Sequence, residues 1–132
     1  MRIRRFMAVV FFAVAVASFP SHLWMFFQYH SSRPSQRQTE SGRVYPSNNH
    51  GSYVYLTAEE ATGLSLLSGT FLFGLLLGGI MILKENPPGL ARISTREYGV
   101  VGTAMICYLT LIVLAGPSIA KFVVSHGIVL NW

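Results

Sequence analysis

Charge is scarce in this sequence. Ten Lys plus Arg and five Asp plus Glu make 11% of 132 residues, against about a quarter in soluble domains. So few charges cannot cover a water-facing surface. Cysteine is scarcer still: Cys107 stands alone, so an internal disulfide is excluded and no Cys/His metal motif exists. Cys107 lies in an apolar run and reads as a small packing side chain. No Asp, Glu, Lys or Arg falls in the middle of an apolar run, which argues against a proton-coupled transporter, a proton relay or a charge-lined pore. Gly-x-Ser-x-Gly, H-x-x-H, H-E-x-x-H and phosphate-cradling glycine loops are missing too. No enzymatic activity and no cofactor is expected.

What is abundant is apolar and blocked together. Hydrophobic residues make up 52% of the chain, and the mean hydropathy is +0.46. They fall in three blocks, each long enough to cross a hydrocarbon core of roughly 30 Å. The alternation of barrel strands is absent, which leaves helices as the way to satisfy the backbone in lipid. The expected fold is an all-α integral membrane protein with three transmembrane helices, in one membrane domain over residues 1–132. The spans are placed at about 6–28, 58–83 and 97–120, with an outer loop 29–57, an inner loop 84–96 and an outer tail 121–132.

Two readings compete for the first block. The arginine-rich start, the apolar run and Ala15-Val16-Ala17 before Ser18 fit a signal peptide cleaved after Ala17. Apolar character continues through Leu23-Trp24-Met25-Phe26-Phe27, too far for a signal peptide alone, so an uncleaved helix is preferred. Pro20 marks a kink near its far end. The second block opens at Thr57-Ala58-Glu59-Glu60, a capping box with Thr57 as N-cap, and stops before Asn86-Pro87-Pro88-Gly89. Ser94-Thr95-Arg96-Glu97 reads as a second capping box, opening the third block. Gly116-Pro117 predicts a kink or an unravelled end there.

With the N-terminus inside, Arg2, Arg4, Arg5, Lys84, Arg92 and Arg96 lie on the cytoplasmic side, and Arg33, Arg37, Arg43 and Lys121 outside. Basic residues mark the cytoplasmic side, and the three N-terminal arginines are tight against the first span. The basic residues flank spans and form no aromatic-interleaved patch, so nucleic acid is not an expected partner despite the net charge of +5.

The outer loop has two halves. Ser31 to Gly42 is polar and reads as flexible. Val44-Tyr45-Pro46 and Tyr53-Val54-Tyr55-Leu56 are β-prone runs around the turn-rich Ser47-Asn48-Asn49-His50-Gly51. A small β-hairpin is expected there, with Gly51 at positive φ, lying on the membrane surface or on a partner because two strands alone are marginal. The stretch from Tyr45 to Thr57, Y-P-x-N-N-H-G-x-x-x-Y-x-T, resembles a segment of small, uncharacterised bacterial inner-membrane proteins, where it sits beside a transmembrane helix. The resemblance covers about a tenth of the chain. It implies a bacterial plasma membrane and an ordered loop whose turn Asn48, Asn49, His50 and Gly51 shape; it implies no activity.

In lipid, helices associate through close contact at small residues. Ala13 and Ala17 offer such a stripe on the first span, Ser65 and Gly69 one face of the second, and Gly74 and Gly78 its opposite face. Gly99 and Thr103 lie on a stripe of the third. Spacing alone leaves open whether these faces meet within the chain or between copies; an intramolecular three-helix sheaf is preferred.

The functional expectation is a non-enzymatic accessory or interaction subunit of the membrane. Its contact surface would be Tyr45, Asn48, Asn49, His50, Tyr53 and Tyr55. Its partners are the lipid bilayer and a membrane protein or further copies of the chain. Two alternatives remain: an oligomeric transport or channel-forming unit, and a metal- or haem-binding anchor using His22, His30, His50 and His126 on the outer side.

Overall fold

The computed structural model describes residues 3–85 and 95–131. Three helices, α1 (Ile3–Ser32), α2 (Ala58–Glu85) and α3 (Thr95–Ser125), account for most of it, with strands β1 (Tyr45–Asn49) and β2 (Ser52–Leu56) between α1 and α2. All three helices are long and apolar enough to cross a membrane. At about 1.5 Å rise per residue, the 30 residues of α1 reach roughly 45 Å, longer than a hydrocarbon core. α1 and α3 run in parallel from an end marked by Arg5 and Glu97; α2 runs against them from the end that carries the hairpin.

The tightest seam joins α1 to α2. Gly74 and Gly78 are both buried. A Cβ at Gly74 would stand 2.8 Å from the Ala15 Cβ and 2.9 Å from the Phe11 carbonyl oxygen, and one at Gly78 would stand 3.3 Å from the Ala8 carbonyl oxygen. The glycines let the backbones approach where any side chain would hold them apart. Ala8 and Ala15 are buried, and Phe19 packs on Phe71 further up the seam with ring centroids 5.0 Å apart.

α3 packs more loosely; among its described residues only Glu97 and Ala120 are buried. Its outward face is mostly apolar along the middle of the helix, with Ile106, Val113 and Leu114 all largely exposed. Polar contacts between described residues tie it to α1 at two levels. Arg5 pairs with Glu97, its Nη2 donating to Oε2 over 3.0 Å. Halfway along, Ser18 Oγ and the Tyr108 hydroxyl lie 2.6 Å apart, and Ser18 Oγ also lies 2.8 Å from the Val14 carbonyl oxygen. Ser18 has one proton, so it donates to the carbonyl and receives the proton of Tyr108.

Both prolines sit inside their helices, and the helices continue past them, to Ser32 and Ser125. The helix does not unravel at Gly116-Pro117. α3 ends instead at Gly127, where φ is 76°. Ile128 N donates to the Val123 carbonyl and Gly127 N to that of Val124, the paired bonds that close a helix on a left-handed glycine. The chain then turns back, and Leu130 N donates to Oγ1 of the fully buried Thr62 over 3.2 Å.

The hairpin forms, with longer strands and a shorter turn than expected. β1 and β2 pair antiparallel from Tyr45↔Leu56 to Asn49↔Ser52, so only His50 and Gly51 make the turn. Both have positive φ, 50° and 91°, the requirement of the turn whose twist suits a two-residue hairpin. Asn48 Oδ1 accepts from Gly51 N at 2.8 Å. The hairpin rests on its own helices: Val54 and Leu56 are buried with Ala61 and Leu64, against Met25, Phe26, Tyr29 and Tyr45. The segment before it is also held, through Tyr55 N to the Pro34 carbonyl and a Gln38–Arg43 bridge.

The Ser94 half of the second expected capping box lies outside the described residues, as does most of the 84–96 loop.

Candidate functional site

Because strand side chains alternate, the hairpin divides the six expected contact residues. Tyr45 and Asn49 share the inward face with Val54 and Leu56, and Tyr45 packs on that core. Asn48, Tyr53 and Tyr55 share the outward face, and His50 sits exposed at the turn. Asn48 Nδ2 approaches the Tyr53 hydroxyl at 3.4 Å. Four of the six expected residues therefore make one outward surface; the other two are packing residues.

Below the hairpin lies an ion cluster centred on Glu60. Its carboxylate accepts from Arg43 at 2.8 and 3.3 Å, from Arg33 Nη2 at 2.9 Å and from Thr57 N at 3.0 Å. The Glu60 amide donates back to Thr57 Oγ1 at 3.3 Å, completing the expected capping box. Four donors fill the capacity of one carboxylate. Arg33 lies 5.2 Å from the Tyr29 ring centroid, a cation–π distance. The cluster holds two guanidinium groups against one carboxylate. Each arginine side chain keeps some exposure, 30% for Arg33 and 20% for Arg43. Glu59, the next residue, is exposed and has no hydrogen bond or ion pair among the described residues.

From this cluster a cleft of about 660 Å³ descends between all three helices. Trp24 and Tyr29 of α1, Gly63 and Thr70 of α2, and Tyr108 and Ile112 of α3 line it, with Glu59 and Glu60 at its rim. Its walls are mostly apolar, its depth ends near the Ser18–Tyr108 contact, and its size is that of a small-molecule or lipid-chain site.

His22 and Ser68 meet inside the bundle, with Nδ1 3.0 Å from Ser68 Oγ. Such a pair resembles a nucleophile with its base. The Leu64 carbonyl oxygen also lies 3.2 Å from Nδ1, and a carbonyl only accepts. Nδ1 therefore carries the proton, Ser68 receives a share of it, and the serine is not activated.

The remaining histidines disperse. His30 Nε2 lies 3.2 Å from Ser47 Oγ, His126 Nδ1 lies 2.8 Å from its own helix at the Phe122 carbonyl, and His50 is at the hairpin turn. Among the described residues, no three His, Cys, Asp or Glu side chains gather as metal ligands.

Of the expected packing residues, Ala13, Ala17, Ser65, Gly69, Gly74 and Gly78 are buried. Gly99 and Thr103 are exposed on α3, and a Cβ at Gly99 would meet nothing within 4 Å; that stripe has no partner within the described chain. Sequence reading missed the arginine pair on Glu60, the Arg5–Glu97 pair and the His22–Ser68 contact. Each joins residues 17 to 92 positions apart, and only the capping-box glutamates Glu60 and Glu97 carried a local signal.

No family model, no curated protein and no solved structure matches this chain.

Proposed function

We propose that this chain is a non-enzymatic multi-pass protein of a bacterial plasma membrane, N-terminus in the cytoplasm, acting as an accessory or interaction subunit through the outward face of its hairpin. The observation that carries the reading is the anchoring of that face. Asn48, Tyr53 and Tyr55 stand on strands fixed to the helices through Val54 and Leu56, and His50 stands on the turn that joins them. A surface already ordered before binding loses little entropy on docking, and tyrosine is enriched in protein interfaces. Three apolar helices support the membrane assignment, and Arg4 and Arg5 beside the first span support the orientation. The plasma membrane follows from the resemblance of the Tyr45–Thr57 segment. Retention of residues 1–17 is supported by the burial of Ala8, Ala13, Ala15 and Ala17, since cleavage after Ala17 would remove the α1 side of the glycine seam.

The test is photocrosslinking in living cells from position 53, with exposed position 37 as the control. The reading expects a discrete protein adduct from position 53 alone, lost when Asn48→Ala and His50→Ala are combined. Lipid adducts only, from both positions, would assign the tyrosines to the membrane interface and refute the contact surface.

A further inference from the structure

We infer that the cleft between the three helices is a binding site for one zwitterionic phospholipid with a primary-ammonium headgroup, its acyl chain inside and its headgroup at the Glu59–Glu60 rim, beside the arginines that Glu60 holds. The inference rests on the membrane-spanning reading, which the topology measurement closing the Discussion tests separately.

The wall chemistry sets the body of the ligand. Trp24, Ile112 and the rest of the mostly apolar lining offer water too few partners to hold it at this depth, whereas a hydrocarbon chain matches it. The cleft begins at the polar hairpin end and ends near Tyr108, beside Ser18 in the middle of α1, so it accepts a chain entering from one leaflet.

The rim sets the headgroup. Glu60 is filled by its four donors and has no capacity left for a ligand. It neutralises one of the two arginines paired with it, so the Arg33–Arg43 pair behind Glu60 keeps one positive charge. Glu59 lies at the same rim as an exposed carboxylate with no ion pair among the described residues. An anionic site at the mouth of an apolar slot, with an excess positive charge held just behind it by Glu60, matches a headgroup that carries an ammonium and a phosphate. The ammonium donates hydrogen bonds to Glu59, which a quaternary amine cannot do and an anionic glycerol headgroup has no charge to do.

Glycine at position 63 provides a probe that leaves the fold alone. It lines the cleft, and a Cβ there would meet nothing within 4 Å, so Gly63→Leu puts a side chain into open space. The experiment is native mass spectrometry of the full chain in detergent, titrated separately with phosphatidylethanolamine, phosphatidylcholine and phosphatidylglycerol. The expected result is one tightly held phosphatidylethanolamine. Glu59→Gln should weaken it about fivefold, the effect of one partly solvated ion pair, with phosphatidylglycerol unchanged. Gly63→Leu should remove the tight site for every lipid. Equal affinity for the three lipids, an undiminished preference in Glu59→Gln, or an undiminished tight site in Gly63→Leu each overturns the proposal. Should Gly63→Leu fail to fold, Gly116→Leu takes its place, since Gly116 lines the opposite wall and its nearest obstacle is 3.8 Å away.

Discussion

At Gly74 a single methyl group decides how near two helices can lie. Its Cβ would stand 2.8 Å from Ala15 and 2.9 Å from a carbonyl oxygen of α1, so Gly74→Ala must push backbone apart. We expect a loss of about 1–3 kcal/mol, the usual cost of overpacking, measured by denaturation in detergent. Gly78→Ala, with contacts at 3.3 Å, should cost less. Gly79→Ala, with open space around it, should cost nothing and gain up to about 1 kcal/mol in helix propensity. Equal effects at all three would show that the seam is not the close contact described. The Gly74-x-x-x-Gly78 step was readable in the sequence because close approach requires small residues at that spacing. Gly99 and Thr103 carry the same kind of signal and face outward; residue size marks where a neighbour could fit, and only the fold decides whether one is there. Glu60 was readable as a helix cap for a local reason, three residues after Thr57. Its arginines were not, because their approach depends on the path of the whole 33–57 segment.

At the level of elements, the hairpin differs most from expectation. Alternating apolar residues and the Asn-rich turn located it, and Gly51 has the positive φ assigned to it. His50 shares that conformation, which shortened the turn and extended β1 to Asn49. The support was misjudged: the hairpin rests on α1 and α2 through Val54 and Leu56, contacts too far apart in sequence for periodicity to reveal. Leu56→Ala should therefore cost about 2–5 kcal/mol, concentrated in the hairpin. Hydrogen exchange of the Tyr55 amide, bonded to Pro34, and the Val44 amide, bonded to residue 56, should accelerate strongly while amides beside Gly74 stay protected. Uniform acceleration along α2 would mean that hairpin and helices unfold as one unit. The prolines teach a related lesson. Pro20 and Pro117 lie inside continuous helices, and the true end of α3 was marked by Gly127 followed by Ile128, a cap signal that the apolar tail obscured.

For the whole molecule, the scarcity of charge and three apolar blocks were enough to predict three helices of membrane-crossing length, and three are found among the described residues. The arrangement was less legible. α1 and α2 pack closely while α3 leans on them through Arg5–Glu97 and Ser18–Tyr108, leaving a cleft that no stripe of residues announced. This asymmetry puts the hairpin, the Glu60 cluster and the mouth of the cleft at one end, and Arg5 with Glu97 at the other. If the chain spans a bacterial plasma membrane as proposed, the hairpin's contact face and the mouth of the cleft both face outward. The most direct measurement is labelling of single cysteines in intact cells with a membrane-impermeant maleimide, after Cys107→Ala. His50→Cys should label at once, while Arg4→Cys should label only after the membrane is opened. Labelling of Arg4→Cys in intact cells with His50→Cys protected would invert the molecule, and equal labelling of both would contradict a crossing of the membrane by α1.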